Sequence, residues 1–213
     1  MGKEISKTEF IYKEITKLFP NAKCELNYYT DYELLIAIML SAQTTDQAVN
    51  LVTKNLFSKF HSIADYANAS LEELENIIKR IGLYRNKAKN LKAMALIIVN
   101  DHNSKVPNNQ LDLEKLPGVG RKTANVFLAE YYHIPRIAVD THVSRVSKRL
   151  GLAKEDDTPV KIEEKLKRKF HKSIWIDLHH KFIFFGRYFC TAKKPNCNKC
   201  PLVKICKKPQ IIE

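Results

Sequence analysis

Apolar residues recur along this chain three and four positions apart, the period of an α-helix, and no stretch alternates for the length of a strand. Phe10, Ile11, Ile15, Leu18 and Phe19 form the first stripe, closed by Pro20. Thr30 and Glu33 make a capping box that predicts a helix over 32–42. Its run from Leu34 to Leu40 is apolar on every side, the mark of a central buried helix. Asp46 starts another helix through Leu51, Val52, Leu56 and Phe60, and Ser70 with Glu73 makes a second box leading to Ile77, Ile78 and Ile81. A turn at Gly82-Leu83-Tyr84 precedes a long helix over about 86–102. Pro107 and the Asn108-Asn109 pair interrupt, and a short helix over 111–115 runs into Leu116-Pro117-Gly118-Val119-Gly120-Arg121. The helix that follows carries Lys122 and ends before Pro135. Residues 137–139 read as extended, Asp140 as the N-cap of a helix over 141–150, and Gly151 as its stop. Thr158-Pro159 opens a helix to Phe170, and Ser173 opens the last, through Trp175, Leu178, Phe182, Ile183 and Phe185. The class is all-α. One internal echo, Gly82 to Ala88 against Gly118 to Ala124, marks two helix–turn–helix corners with basic residues after the turn. Capping preferences also produce short matches of that kind, so it carries little weight for common origin.

Composition narrows the function. The 213 residues hold 36 Lys and Arg against 23 Asp and Glu, a net charge of +13 that favours a polyanion, most commonly nucleic acid. A membrane surface competes, but no run approaches the roughly 20 apolar residues of a spanning helix. The first residues lack the apolar stretch of a signal peptide, which predicts a cytoplasmic protein. Gly2 with Ser6 fits a short myristoylation pattern that is too loose to weigh.

Five cysteines are present, and four of them, Cys190, Cys197, Cys200 and Cys206, fall within the last 24 residues. A tight group of four in a reducing compartment argues for metal rather than disulfides. Four thiolates suit a tetrahedral zinc or a [4Fe–4S] cluster, and ligand chemistry alone leaves both open. A site closed by four protein ligands reads as structural. Lys193, Lys194 and Lys199 lie in the same loop, either as ordinary solvated lysines or as a firm phosphate-contact surface. Cys24 stands alone and reads as a small buried side chain.

Lys122 is the residue with the most pointed position. A glycine turn entering a helix aims backbone N–H groups at an anion. The positive end of the helix dipole disfavours an ammonium in the first turn, and partial burial would disfavour it further. Such a lysine can attack carbon as a neutral amine; the alternative is a solvated surface lysine. Asp140 reads first as a helix cap, which still leaves one carboxylate oxygen for other work. His142 reads as a hydrogen-bonded structural residue, and His179 with His180 as packing or DNA-facing residues, since no further ligands stand at metal spacing.

Leu116 to Asn125, then Val139-Asp140-Thr141-His142 with Arg145, then C-x6-C-x2-C-x5-C, closely resemble the endonuclease III family of helix-hairpin-helix DNA glycosylases with AP-lyase activity. Glu33 to Ala37, Leu40 to Asp46, Ile81 to Tyr84 and His179-His180 extend the resemblance over nearly the whole chain, in order and at the family's spacing. The glycine hairpin alone is moderately specific; hairpin, lysine, aspartate and cysteines together are highly so. The resemblance implies two helical domains flanking a DNA-binding cleft. One, residues 24–134, is a helical barrel containing the hairpin at about 109–130; the other, 1–23 plus 135–213, carries a cluster loop at 190–206. It implies a [4Fe–4S] cluster on Cys190, Cys197, Cys200 and Cys206, with Lys122 as nucleophile at C1′ of a flipped nucleotide and Asp140 as the essential carboxylate. Base removal from a duplex needs something to fill the gap, and Gln43 and Leu83 match the family's wedge positions. Leu83 could equally pack inward, as apolar turn tips usually do. Leu116, Pro117, Gly118, Val119, Gly120 and Arg121 are the implied hairpin contacts, joined by Lys193 and Lys194. The expected partner is damaged double-stranded DNA, bound by a monomer in the cytoplasm, nucleoid-associated if the source is bacterial. An adenine or mismatch glycosylase is a rival that generally lacks a lysine at the position of Lys122. A DNA-binding module without catalysis would use every feature except the pair Lys122 and Asp140.

Overall fold

The computed structural model describes residues 5–210, all helix, turn and irregular backbone with no strand among them. The amino-terminal pattern around Gly2 lies outside the described residues. The first six helices are α1 (Lys7–Leu18), α2 (Asp31–Leu40), α3 (Asp46–Lys59), α4 (Ile63–Asn68), α5 (Leu71–Ile78) and α6 (Tyr84–Asp101). Then follow α7 (Gln110–Leu113), α8 (Arg121–Glu130), α9 (Thr141–Arg149), α10 (Pro159–Lys169) and α11 (Trp175–Phe184). They gather into two compact units, one of Glu25–Ile134 and one of Met1–Cys24 with Pro135–Glu213.

The 25–134 unit is built around α2. All seven residues from Leu34 to Leu40 are buried, as the uninterrupted apolar run predicts, and α3, α6 and α8 pack on them. The helix starts where Thr30 Oγ1 accepts from the Glu33 N–H while the Glu33 carboxylate accepts from Thr30 N and Tyr29 N. Leu35, fully buried, sets the scale of the core: Leu35→Ala is expected to cost about 2–5 kcal/mol. The check is a lowered urea midpoint at an unchanged slope.

Sequence and structure part company at α5. Ser70 caps the Glu73 N–H at 3.1 Å, but the Glu73 carboxylate pairs with Lys59 of α3 at 2.5 Å instead of returning to the cap. A charged partner outcompetes a backbone N–H that water can satisfy.

The other unit clusters Ile11 and Ile15 of α1 with Val143, Val146, Ile162, Leu166, Leu178, Phe182 and Phe185. Tyr12 donates its hydroxyl to Asp177 at 2.5 Å, and the same carboxylate pairs with Lys181. Burial, with that carboxylate adding to it, pushes Tyr12 up to about 12. The last helix opens otherwise than through a Ser173 cap. His171 Nδ1 accepts from Ser173 N, a 3-10 turn (Lys172–Ile174) follows, and α11 starts at Trp175. Its end widens into a π turn (Phe185–Phe189). There Gly186 lies so close to α9 that a Cβ would come within 2.9 Å of the His142 Cβ.

No helix among the described residues is long and apolar enough to cross a membrane.

Candidate functional site

Three features of the 25–134 unit stand out. The first is the hairpin between α7 and α8. Asn109 caps α7 through the Asp112 N–H, and Val119 N donates to Leu116 O at 3.0 Å to close the turn. Gly118 has φ 79°, and a Cβ there would meet Met39 Cγ at 3.0 Å and Asn90 Nδ2 at 3.1 Å, so only glycine fits. Leu116 and Val119 are buried, whereas Gly118, Gly120 and Arg121 are exposed and Pro117 is half-buried. What Leu116 and Val119 offer a ligand is therefore main chain, not side chain. Gly120 is the N-cap of α8 and has no side chain to cap it, leaving the positive end of the helix turned outward.

Lys122 stands in the first turn of α8, opposite the face that buries Ala124, Phe127 and Leu128. Lys122 is exposed, so partial burial adds nothing to the effect of its position. Of the electrostatic argument for its reactivity, the position at the helix start remains.

The other two features are single residues in left-handed backbone. Gln43 has φ 55° and Leu83 has φ 58°, and neither is glycine. Such backbone costs on the order of 1–3 kcal/mol per residue and tends to persist where function over-determines it. Gln43 is exposed, and Leu83 is 57% exposed at the start of α6. Inward packing of Leu83 is thereby excluded within this unit.

In the unit of residues 1–24 and 135–213, Asp140 caps α9 through Oδ1, which accepts from Val143 N at 2.7 Å. Oδ2 accepts no hydrogen bond from a described residue, so one carboxylate oxygen is left over. His142 Nδ1 meets Arg145 Nη2 at 3.2 Å, the structural role expected of it. His179 and His180 are buried side by side on α11, which makes them packing residues rather than DNA-facing ones.

Cys190, Cys197, Cys200 and Cys206 line one cavity with Arg149, Leu150, Phe185, Val203, Lys208 and Pro209. Arg149 Nη1 donates to Cys190 Sγ at 3.2 Å and to Thr191 O at 2.8 Å. The Gln210 N–H donates to Cys197 Sγ at 3.3 Å. Burial pushes the Cys190 and Cys200 thiols up, and the Arg149 guanidinium opposes this at Cys190. Among the described residues no three of His, Cys, Asp and Glu stand close enough to share a single metal ion. Lys193 and Lys194 are exposed on the loop, and Cys24, expected to be buried, is only half-buried. Sequence reasoning gave no role to Arg149 or Lys87. Arg145 and Arg149 are four residues apart on α9, but nothing local shows that Cys190 O, which both reach, would lie beside them.

Comparison with known proteins places this geometry. Residues 36–172 match the model of the HhH-GPD superfamily of base excision DNA repair proteins. Endonuclease III of Bacillus subtilis strain 168 is 48% identical over 97% of this chain and 94% of its own length. Endonuclease III of Rickettsia felis is 44% identical over 92% of each. A solved structure of a trapped endonuclease III–DNA covalent intermediate matches with a TM-score of 0.92 at 48% identity, covering 95% of this chain and 96% of that one. A thermostable thymine-DNA glycosylase shares the fold at 24% identity and a TM-score of 0.85. The chain belongs to the HhH-GPD superfamily of base excision DNA repair proteins and, within it, to the endonuclease III family.

Proposed function

We propose that Lys122 and Asp140 carry the chemistry of a base excision DNA glycosylase and AP lyase that removes oxidised pyrimidines from duplex DNA. The observation that carries this reading is an exposed amine in the first turn of α8, beside an uncapped glycine hairpin. A covalent protein–DNA intermediate, trapped for an endonuclease III 48% identical to this chain, requires a nucleophile. Lys122 supplies an amine for it.

The Lys122 amine attacks C1′ of the damaged nucleotide. The C1′–N bond to the base breaks, its electrons leave with the base, and the nitrogen gives up a proton. Positive charge builds on the sugar as the base departs, and the free oxygen of Asp140 is suited to stabilise it and to assist proton transfer. Ring opening gives the Schiff base. Loss of a C2′ proton then drives breakage of the C3′–O bond, cutting the strand 3′ of the site, and water releases Lys122. The outward α8 N-terminus and the backbone of Gly118 and Gly120, with Arg121, supply phosphate contacts. Gln43 and Leu83 enter the gap left by the flipped base. Lys193 and Lys194 add phosphate contacts from the cysteine loop.

Cys190, Cys197, Cys200 and Cys206 would hold a [4Fe–4S] cluster. Four soft thiol donors lining one cavity suit such a cluster, the centre that the family resemblance implies. When bound, the cluster cross-links the loop and takes no part in the steps at the sugar. We place the enzyme in the cytoplasm, with the nucleoid in a bacterium, acting as a monomer on damaged double-stranded DNA.

Duplexes carrying abasic, thymine glycol, uracil or mismatched-adenine sites test the reading. Cleavage at abasic and thymine glycol sites, with a borohydride-trapped adduct, is expected. Absence of any adduct from abasic DNA would sink it. Binding should weaken steeply with salt, with a slope of about −0.9 per neutralised phosphate; a flat response contradicts a phosphate-reading surface.

A further inference from the structure

Lys87 is a charged residue inside the 25–134 unit that the chemistry above does not use. It lies in the first turns of α6 and is only 5% exposed. Its backbone N–H donates to Leu83 O at 3.0 Å. Its ammonium donates to Thr44 Oγ1 at 2.8 Å, across 43 positions of sequence. Thr44 follows Gln43, and its own N–H donates to Ser41 O at 3.1 Å, closing the turn that leaves α2. One residue therefore binds both left-handed turns, the one that presents Gln43 and the one that presents Leu83.

We propose that Lys87 is a positioning residue: its Nζ–Thr44 bond fixes the Gln43 and Leu83 turns at one separation, so that both side chains enter a single flipped-base gap together. This rests on Gln43 and Leu83 being the wedges.

Three physical points support it. A buried ammonium without a carboxylate partner is costly, and a methionine would fill the same space without charge. No described carboxylate pairs with Lys87, and burial alone pulls its ionisation down. The cation is retained where an apolar residue would pack, so its directional bond is the useful part. In addition, both turns hold strained backbone that relaxes unless something pins it. Finally, two wedges on different turns can act together only if their spacing is set before DNA arrives, and small misplacements in such constellations cost about 100-fold in rate.

The experiment compares Thr44→Val, Thr44→Ser, Lys87→Met and the Thr44→Val/Lys87→Met double variant on two substrates. Thymine glycol in a duplex needs the wedges; an abasic site in a single strand does not, because there is no stack to fill. Thr44→Val and Lys87→Met are each expected to slow single-turnover duplex excision by about 10- to 100-fold. The double variant should be no slower than the worse single one, as expected for one shared bond. Single-strand cleavage should keep its rate, and Thr44→Ser, which retains the hydroxyl, should recover duplex excision. Wild-type duplex rates for Thr44→Val, or equal losses on both substrates, would overturn the proposal. Gln43→Ala and Leu83→Ala separate the two layers. If neither slows duplex excision, the wedge reading itself fails; if they do and Thr44→Val does not, only the role of Lys87 fails.

Discussion

Lys122→Ala is expected to abolish the borohydride-trapped adduct with abasic DNA and to cut strand cleavage by on the order of 10³-fold or more, as loss of a covalent nucleophile does. The side chain is exposed on the far side of α8 from its packed face, so the variant should fold and melt like the parent. Loss of adduct can then be read as chemistry. Asp140→Asn is its counterpart. Asparagine caps a helix as well as aspartate does, so the bond from Val143 N survives while the charge goes. An unchanged melting temperature with excision down about 10²- to 10⁴-fold assigns the carboxylate to the reaction. A full rate in Asp140→Asn would leave Asp140 as a cap alone. An adduct that persists in Lys122→Ala would move the nucleophile to another amine.

The second large effect is expected in the cysteine loop. Wild-type protein should be brown, with a broad absorbance near about 400 nm from iron–sulfur charge transfer. Cys200→Ser replaces a soft thiolate by a hard hydroxyl and should lose both the colour and most of the iron. The loop should then become open to trypsin at Lys193 and Lys199, which are exposed already. Its first residues should hold longer, because Arg149 grips Thr191 O and Ala192 O independently of any metal. Colourless wild-type protein with one zinc per chain would reject the cluster.

Much of this molecule was legible where the signal is local. The run Leu34 to Leu40 reads as a buried helix because no face of it can bear water, and α2 is buried along that whole length. Thr30 with Glu33, and Asp140 with Val143, read as caps because the partners lie three residues apart. The α8 hairpin was legible for the same reason. What stayed hidden depends on residues distant in the chain. Glu73 abandons its cap for Lys59 on a neighbouring helix. Leu116 and Val119 bury their side chains within a turn that composition marks only as glycine-rich. Leu83 does the reverse, exposing an apolar side chain that pattern alone would place in the core. The Lys87–Thr44 bond is invisible for a related reason, since neither residue type is unusual at its position and only the approach of two turns gives the pair meaning.

The composition of one unit from both ends of the chain has a consequence for biosynthesis. α1 leaves the ribosome ahead of the whole 25–134 segment, yet Ile11 and Ile15 share their core with Leu178, Phe182 and Phe185, which are made only after that segment. The Tyr12–Asp177 bond spans 165 positions. The segment 25–134 has all its core partners once its own sequence is complete. α1 must thus wait with its apolar stripe uncovered while the other unit is made and folds.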